Sequence, residues 1–167
     1  MSAPRRILSL DLSLSVGWAF GADHETPLHG VWTLGKSANL GRVLSGLAGE
    51  LQDAIAVHRP DVIILEAPLP AQRQASTLVA RIQFGLAAVA EMIAHEQDVL
   101  CEEERADIVR KMVLGKPRVD KQTVIEWCRA QGWKPATDHD ADALVLLRYR
   151  HILGRTKVMA GAGSVVF

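Results

Sequence analysis

Cysteine is nearly absent. Cys101 and Cys128 are the two in 167 residues. Two well-separated thiols frame neither a disulfide scaffold nor a tetrahedral zinc site, and they read as reduced cysteines of a cytoplasmic protein. Net charge is absent too, with 19 basic and 19 acidic side chains. That counts against a protein that coats nucleic acid indiscriminately, but it permits one basic face opposed by an acidic one. No apolar run reaches the ~18 residues of a membrane span. Met1 to Arg6 carries two arginines but leads into a strand pattern instead of an apolar stretch with a small-residue cleavage site, so export is not expected. No repeat and no linker divides the chain. One domain is expected over residues 1–153, followed by a loose or oligomer-contacting tail over 154–167.

What is present begins with Ile7 to Phe20, ILSLDLSLSVGWAF. It reads as a buried strand, a tight turn and a second strand folding back. His29 to Leu34 predicts a third, edge-like strand and completes an antiparallel meander. Asn39 to His58 has apolar residues at helical spacing, with Asn39 as the cap. Val62 to Leu65 is a β-branched run that reads as a central strand buried on both faces, reached by a parallel crossover. Ser76 to His95 predicts a long helix and Val99 to Cys101 a short last strand. Helices follow over Arg105 to Leu114, Val119 to Gln131 and Asp138 to His151. The order β-β-β-α-β-α-β-α-α-α predicts an α/β architecture, a mixed five-stranded sheet with helices on both faces.

One acid interrupts the first strand. A carboxylate buried there is costly unless paired or bound to metal, so Asp11 needs partners. Glu66 ends the Val62 run, where a parallel strand opens onto the ligand edge of a sheet. In Asp138-His139-Asp140-Ala141-Asp142, helical spacing puts 138, 139 and 142 on one face and Asp140 elsewhere. Asp142 lies among apolar neighbours, whereas Asp138 and Asp140 suit the first-turn dipole. Three carboxylates on separate elements, Asp11, Glu66 and Asp142, suit Mg2+ or Mn2+. Two such ions ~3.5–4 Å apart activate a water and stabilise the leaving oxygen of a phosphodiester. His139 offers a nitrogen ligand or a proton shuttle, and Asp138 is its competitor for that place.

The basic charge is concentrated in VRKMVLGKPRVDK. Arg110, Lys111, Lys116, Arg118 and Lys121 lie around a turn set by Gly115 and Pro117. Lys121 starts the next helix, where backbone N–H groups also attract anions. This is a phosphate-backbone clamp in outline. It is not a Walker A loop, because the glycine-rich cradle is missing.

In these segments the chain resembles the RuvC-type Holliday-junction resolvases of the ribonuclease H-like nucleases. The matching pieces are DLSLSVGWA at Asp11, ILEAP at Glu66, VLGKPRVDK ending at Lys121 and HDADAL at His139 to Leu144. The resemblance implies a ribonuclease H-like fold with Asp11, Glu66 and Asp142 as metal ligands and His139 in the remaining site position. It places Lys121 near the scissile phosphate and Arg110 at the matching basic position. It implies a homodimer that cuts opposite strands of a four-way junction, with Mg2+ or Mn2+ and no small-molecule cofactor. After Glu66 the chain departs from the family. Pro68 to Arg73 holds no aromatic side chain, so stacking on a base is lost there. Leu69 remains as a wedge, and Arg73 and Arg81 remain to contact the DNA backbone. Such a change suits the looser cutters of branched DNA among phage and prophage members. Cleavage of RNA–DNA hybrid and junction binding without catalysis are the alternatives. A three-prime exonuclease is disfavoured because Asp11-Leu12-Ser13 stands where its Asp-x-Glu would be.

Overall fold

The computed structural model describes residues 5–35 and 39–162, without the side chains of 156–162. Five strands form one mixed sheet in the order β3-β2-β1-β4-β5: β1 (Ile7–Asp11), β2 (Ser15–Gly21), β3 (Leu28–Thr33), β4 (Val62–Glu66) and β5 (Leu100–Glu104). The first three are antiparallel, and β4 and β5 run parallel to β1. The last strand runs further than Cys101, to Glu104.

Alternation along the strands sorts the core into two halves. Leu8, Leu10, Ile63 and Leu65 point to one face, against Val43, Leu47 and Leu51 of α1 (Leu40–His58) and Leu86, Ala90 and Ile93 of α2 (Thr77–Glu96). Ile7, Ala19, Val62 and Ile64 point to the other. There they meet Val109 of α3 (Ala106–Leu114), Val124 and Cys128 of α4 (Lys121–Ala130) and a run from Ala141 to Tyr149 on α5 (Asp138–Ala162). Ser9 lies on this second face, fully buried. Its hydroxyl donates to the Ala143 carbonyl at 2.7 Å, with the Ala19 carbonyl at 3.2 Å. The central strand is thereby pinned to the middle of α5's second turn.

Two further features differ from the sequence expectation. By length and composition α2 reaches what a membrane-crossing helix needs. Its apolar character is broken up by Arg81, Gln83 and Glu91, so a search for an unbroken run misses it. Its inner side packs on the core, and Leu78, Phe84 and Met92 are left exposed. The second difference is α5, which continues past His151 through Gly154 to Ala162, into the segment expected as a loose or oligomer-contacting tail. A glycine costs a helix only about 1 kcal/mol, and an anchor here offsets it. Arg155 forms a two-pronged pair with Asp23 in the β2–β3 turn. That pairing holds the Asp23 carboxyl below its usual range. Between this turn and α5 lies a cavity of about 250 Å3, lined by Glu25, Trp133, Arg148 and His151 among others. It sits at the Gly21–Ile7 end of the sheet, away from Asp11, which pairs with Gly17. Residues 163–167 lie outside the described residues.

Candidate active site

Asp11 and Glu66 are neighbours by register. Leu10 pairs with Leu65 across parallel strands, so the next residues, Asp11 and Glu66, stand side by side at the strand ends. By alternation both point to the α5 face, about one strand spacing (~4.8 Å) apart. Over them lies the start of α5, held by three devices. Thr137 and Asp140 form a reciprocal capping box, Thr137 N–H donating to Asp140 Oδ1 at 2.8 Å while the Asp140 N–H approaches Thr137 Oγ1 at 3.4 Å. Asp140 is buried, 1% exposed, and also accepts from the Ala136 N–H and meets His29 Nδ1 of β3, both at 2.9 Å. Burial opposes the Asp140 charge, but these hydrogen bonds hold its carboxyl below the usual range. Finally, α5 touches β2 at Gly17, where an added Cβ would lie 1.9 Å from the His139 carbonyl oxygen.

These constraints bring His139 and Asp142 over the strand ends. His139 Nδ1 lies 3.2 Å from Asp11 Oδ2, and that contact raises the imidazole above its ordinary value. Arg110 of α3 donates from its guanidinium to Asp142 Oδ1 at 3.1 Å. Burial, then the charges of Asp11 and Asp142, push Glu66 up to about 8. Asp142 is raised as well, by burial first, although Arg110 works against the shift. Asp138 does not join the acids. It pairs with Lys121, the first residue of α4, which pulls the carboxyl down and the ammonium up. Between His139 and Asp138, the imidazole is therefore the group beside Asp11.

Among the described residues, no three His, Cys, Asp or Glu side chains form a ready metal cage. Asp11 is turned to His139 and Asp142 to Arg110. The donor set nevertheless fits a hard divalent cation. It consists of carboxylate oxygens with one imidazole, and two of its acids are held away from ionisation partly by their neighbours' charge. A cation among them relieves that repulsion.

The raised Glu66 makes a testable link to stability. Between its ordinary value, 4.5, and about 8, the folded protein keeps a proton that the unfolded chain has released. Stability therefore falls as pH rises through that window. In metal-free protein the thermal midpoint, followed by circular dichroism, is expected to drop between about pH 5 and about pH 8. Glu66→Gln is expected to flatten the drop, and an unchanged slope contradicts the assignment.

No protein-family model and no curated protein sequence matches this chain. Solved structures do. The RuvC of Thermus thermophilus superposes with a TM-score of 0.75 at 16% identity, covering 91% of this chain and 96% of that one. The same organism's RuvC in complex with a Holliday junction substrate gives 0.79, also at 16% identity, covering 92% and 96%. This is a ribonuclease H-like fold. The yeast mitochondrial Holliday junction resolvase shares it at a TM-score of 0.66 and 12% identity, over 97% of this chain and 85% of that one.

Within the ribonuclease H-like fold the basic residues divide into groups. Lys111 is exposed on α3, and Lys116 and Arg118 are exposed on the connection to α4. Gly115 ends α3 in the left-handed conformation (φ 82°), as its sequence position predicts. Asp120 caps α4, accepting from the Thr123 N–H at 2.9 Å. Arg73 lies in a short 3-10 turn after β4 and Arg81 on α2, both exposed. Arg110 stands apart from all of these, turned inward onto Asp142.

Sequence inspection did not find His29, Ser9 or Gly17 as supports of the site. The Thr137-x-x-Asp140 spacing was a legible signal for the capping box. Nothing local marks His29, because its partner lies on an element over a hundred residues away.

Proposed function

We propose that this protein is a structure-selective endonuclease that hydrolyses phosphodiesters in Holliday junctions or other branched DNA. The observation that supports it most is the side-by-side placement of Asp11 and Glu66 beneath Asp142, with cationic side chains on the adjoining helices. Asp11, Glu66, Asp142 and His139 would hold Mg2+ or Mn2+ in a two-metal-ion site. When bound, such ions supply an activated water and charge stabilisation at the leaving oxygen. Lys121, the first residue of α4, would meet the scissile phosphate, where backbone N–H groups would add to its charge. Lys111, Lys116 and Arg118 would take flanking phosphates, and Arg73 and Arg81 the strand passing the end of β4. Leu69, exposed after β4, would act as a wedge where base stacking is lost, which fits a broad taste for branched substrates like that of phage or prophage RuvC-type enzymes. A homodimer, formed in the cytoplasm, would present two such sites to opposite strands. The exposed Leu78, Phe84 and Met92 of α2 support a self-contact.

The experiment is a comparison of substrates. Purified protein is incubated with a four-way junction, a linear duplex and an RNA–DNA hybrid, each with Mn2+ and with Mg2+. Preferential nicking of the junction is expected. Preferential cutting of the hybrid would instead make the protein a ribonuclease H, and tight junction binding without any cleavage would make it a non-catalytic binder.

A further inference from the structure

Arg110 is the cation inside the acid cluster. Its guanidinium meets Asp142 Oδ1 at 3.1 Å, with the Arg110 side chain 26% exposed and that of Asp142 16%. It is also the positive charge that acts on Glu66, against the effects of Asp11 and Asp142. Lys121, by contrast, is largely exposed and already paired with Asp138. Arg110 therefore does not lie open on the surface as a phosphate contact does. It neutralises the acids from within.

A guanidinium on Asp142 Oδ1 occupies part of that carboxylate's acceptor capacity, and two cations at one carboxylate repel each other. We infer that Arg110 is an internal counter-ion that competes with the divalent cation for Asp142. In the free protein the guanidinium stands in for the missing charge. Repulsion between the two cations drives it off Asp142 as metal enters, and the released guanidinium is then available to a DNA phosphate. Because linkage is reciprocal, DNA that draws Arg110 away tightens metal binding, and metal that displaces Arg110 tightens DNA binding. This inference rests on the metal-site reading of Asp11, Glu66 and Asp142.

Its test is Mn2+ titration by calorimetry on the full-length, metal-free protein, without DNA. Arg110→Gln is expected to bind Mn2+ more tightly than wild type, on the order of tenfold, because a unit charge close to the ion has been removed. Lys111→Gln removes one charge from the exposed side of the same helix and is expected to leave Mn2+ affinity unchanged. Arg110→Met keeps the packing of the aliphatic stem and repeats the test should the glutamine variant not fold. Mn2+ binding by wild type that is equal or weaker in a folded Arg110 variant overturns the inference alone. Equal tightening by Lys111→Gln overturns it too, because the effect is then general charge. Absence of Mn2+ binding by wild type and by every variant overturns the metal-site reading and this inference with it.

Discussion

Gly17→Ala is expected to lower nicking of a four-way junction on the order of a hundredfold, the penalty that ~1 Å of misplacement carries at a catalytic site. The added Cβ would lie 1.9 Å from the His139 carbonyl oxygen and 2.3 Å from its carbon. Both are backbone atoms, so no flexible side chain can swing aside. The first turn of α5 has to lift from β2, and it carries His139 and Asp142 with it. Overpacking of this kind also costs about 1–3 kcal/mol of stability. Urea titration checks the stability, and single-turnover nicking checks the rate. Gly49→Ala is the contrasting variant. Gly49 lies in α1, and a Cβ there meets nothing within 4 Å, so about 0.5–1 kcal/mol of added stability is expected. Equal behaviour of the two variants would contradict the close approach.

The second large effect is expected at Asp11. Asp11→Asn keeps the shape of the side chain and removes its charge. The asparagine amide also meets His139 with a different hydrogen-bonding capacity. If Asp11 holds a catalytic cation, the transition state loses several kcal/mol of stabilisation, or about a thousandfold in rate. Folding should survive, because relief of the Asp11 charge also eases the burden on Glu66. A nicking assay paired with circular dichroism distinguishes loss of chemistry from loss of fold. Wild-type nicking by a folded Asp11→Asn protein would remove Asp11 from the site.

The layers of the fold were legible because periodicity carries them. Val62 to Glu66 has a strand's β-branched run, and Leu40 to His58 has a helix's spacing. The acids were legible for a related reason, since Asp11, Glu66 and Asp142 each interrupt an apolar segment where an unpaired carboxylate is costly. What stayed hidden depends on tertiary partners. The role of Gly17 exists only because α5 crosses β2 at that point. His29 matters through Asp140, which sequence periodicity correctly turned away from His139 and Asp142 but did not bury. Gly154 suggested a break, yet the pairing of Arg155 with Asp23 carries the helix past it. Arg110 was grouped with surface lysines by proximity in sequence. The rotation of about 100° between adjacent helical residues sends its guanidinium to Asp142 while Lys111 faces solvent.

Cut-site mapping on a single synthetic four-way junction decides whether the protein is a metal-dependent junction endonuclease. Nicks on two opposing strands are expected in Mn2+ or Mg2+, abolished by EDTA and restored by added metal. Cleavage that survives EDTA, or an intact junction in both metals, would contradict it.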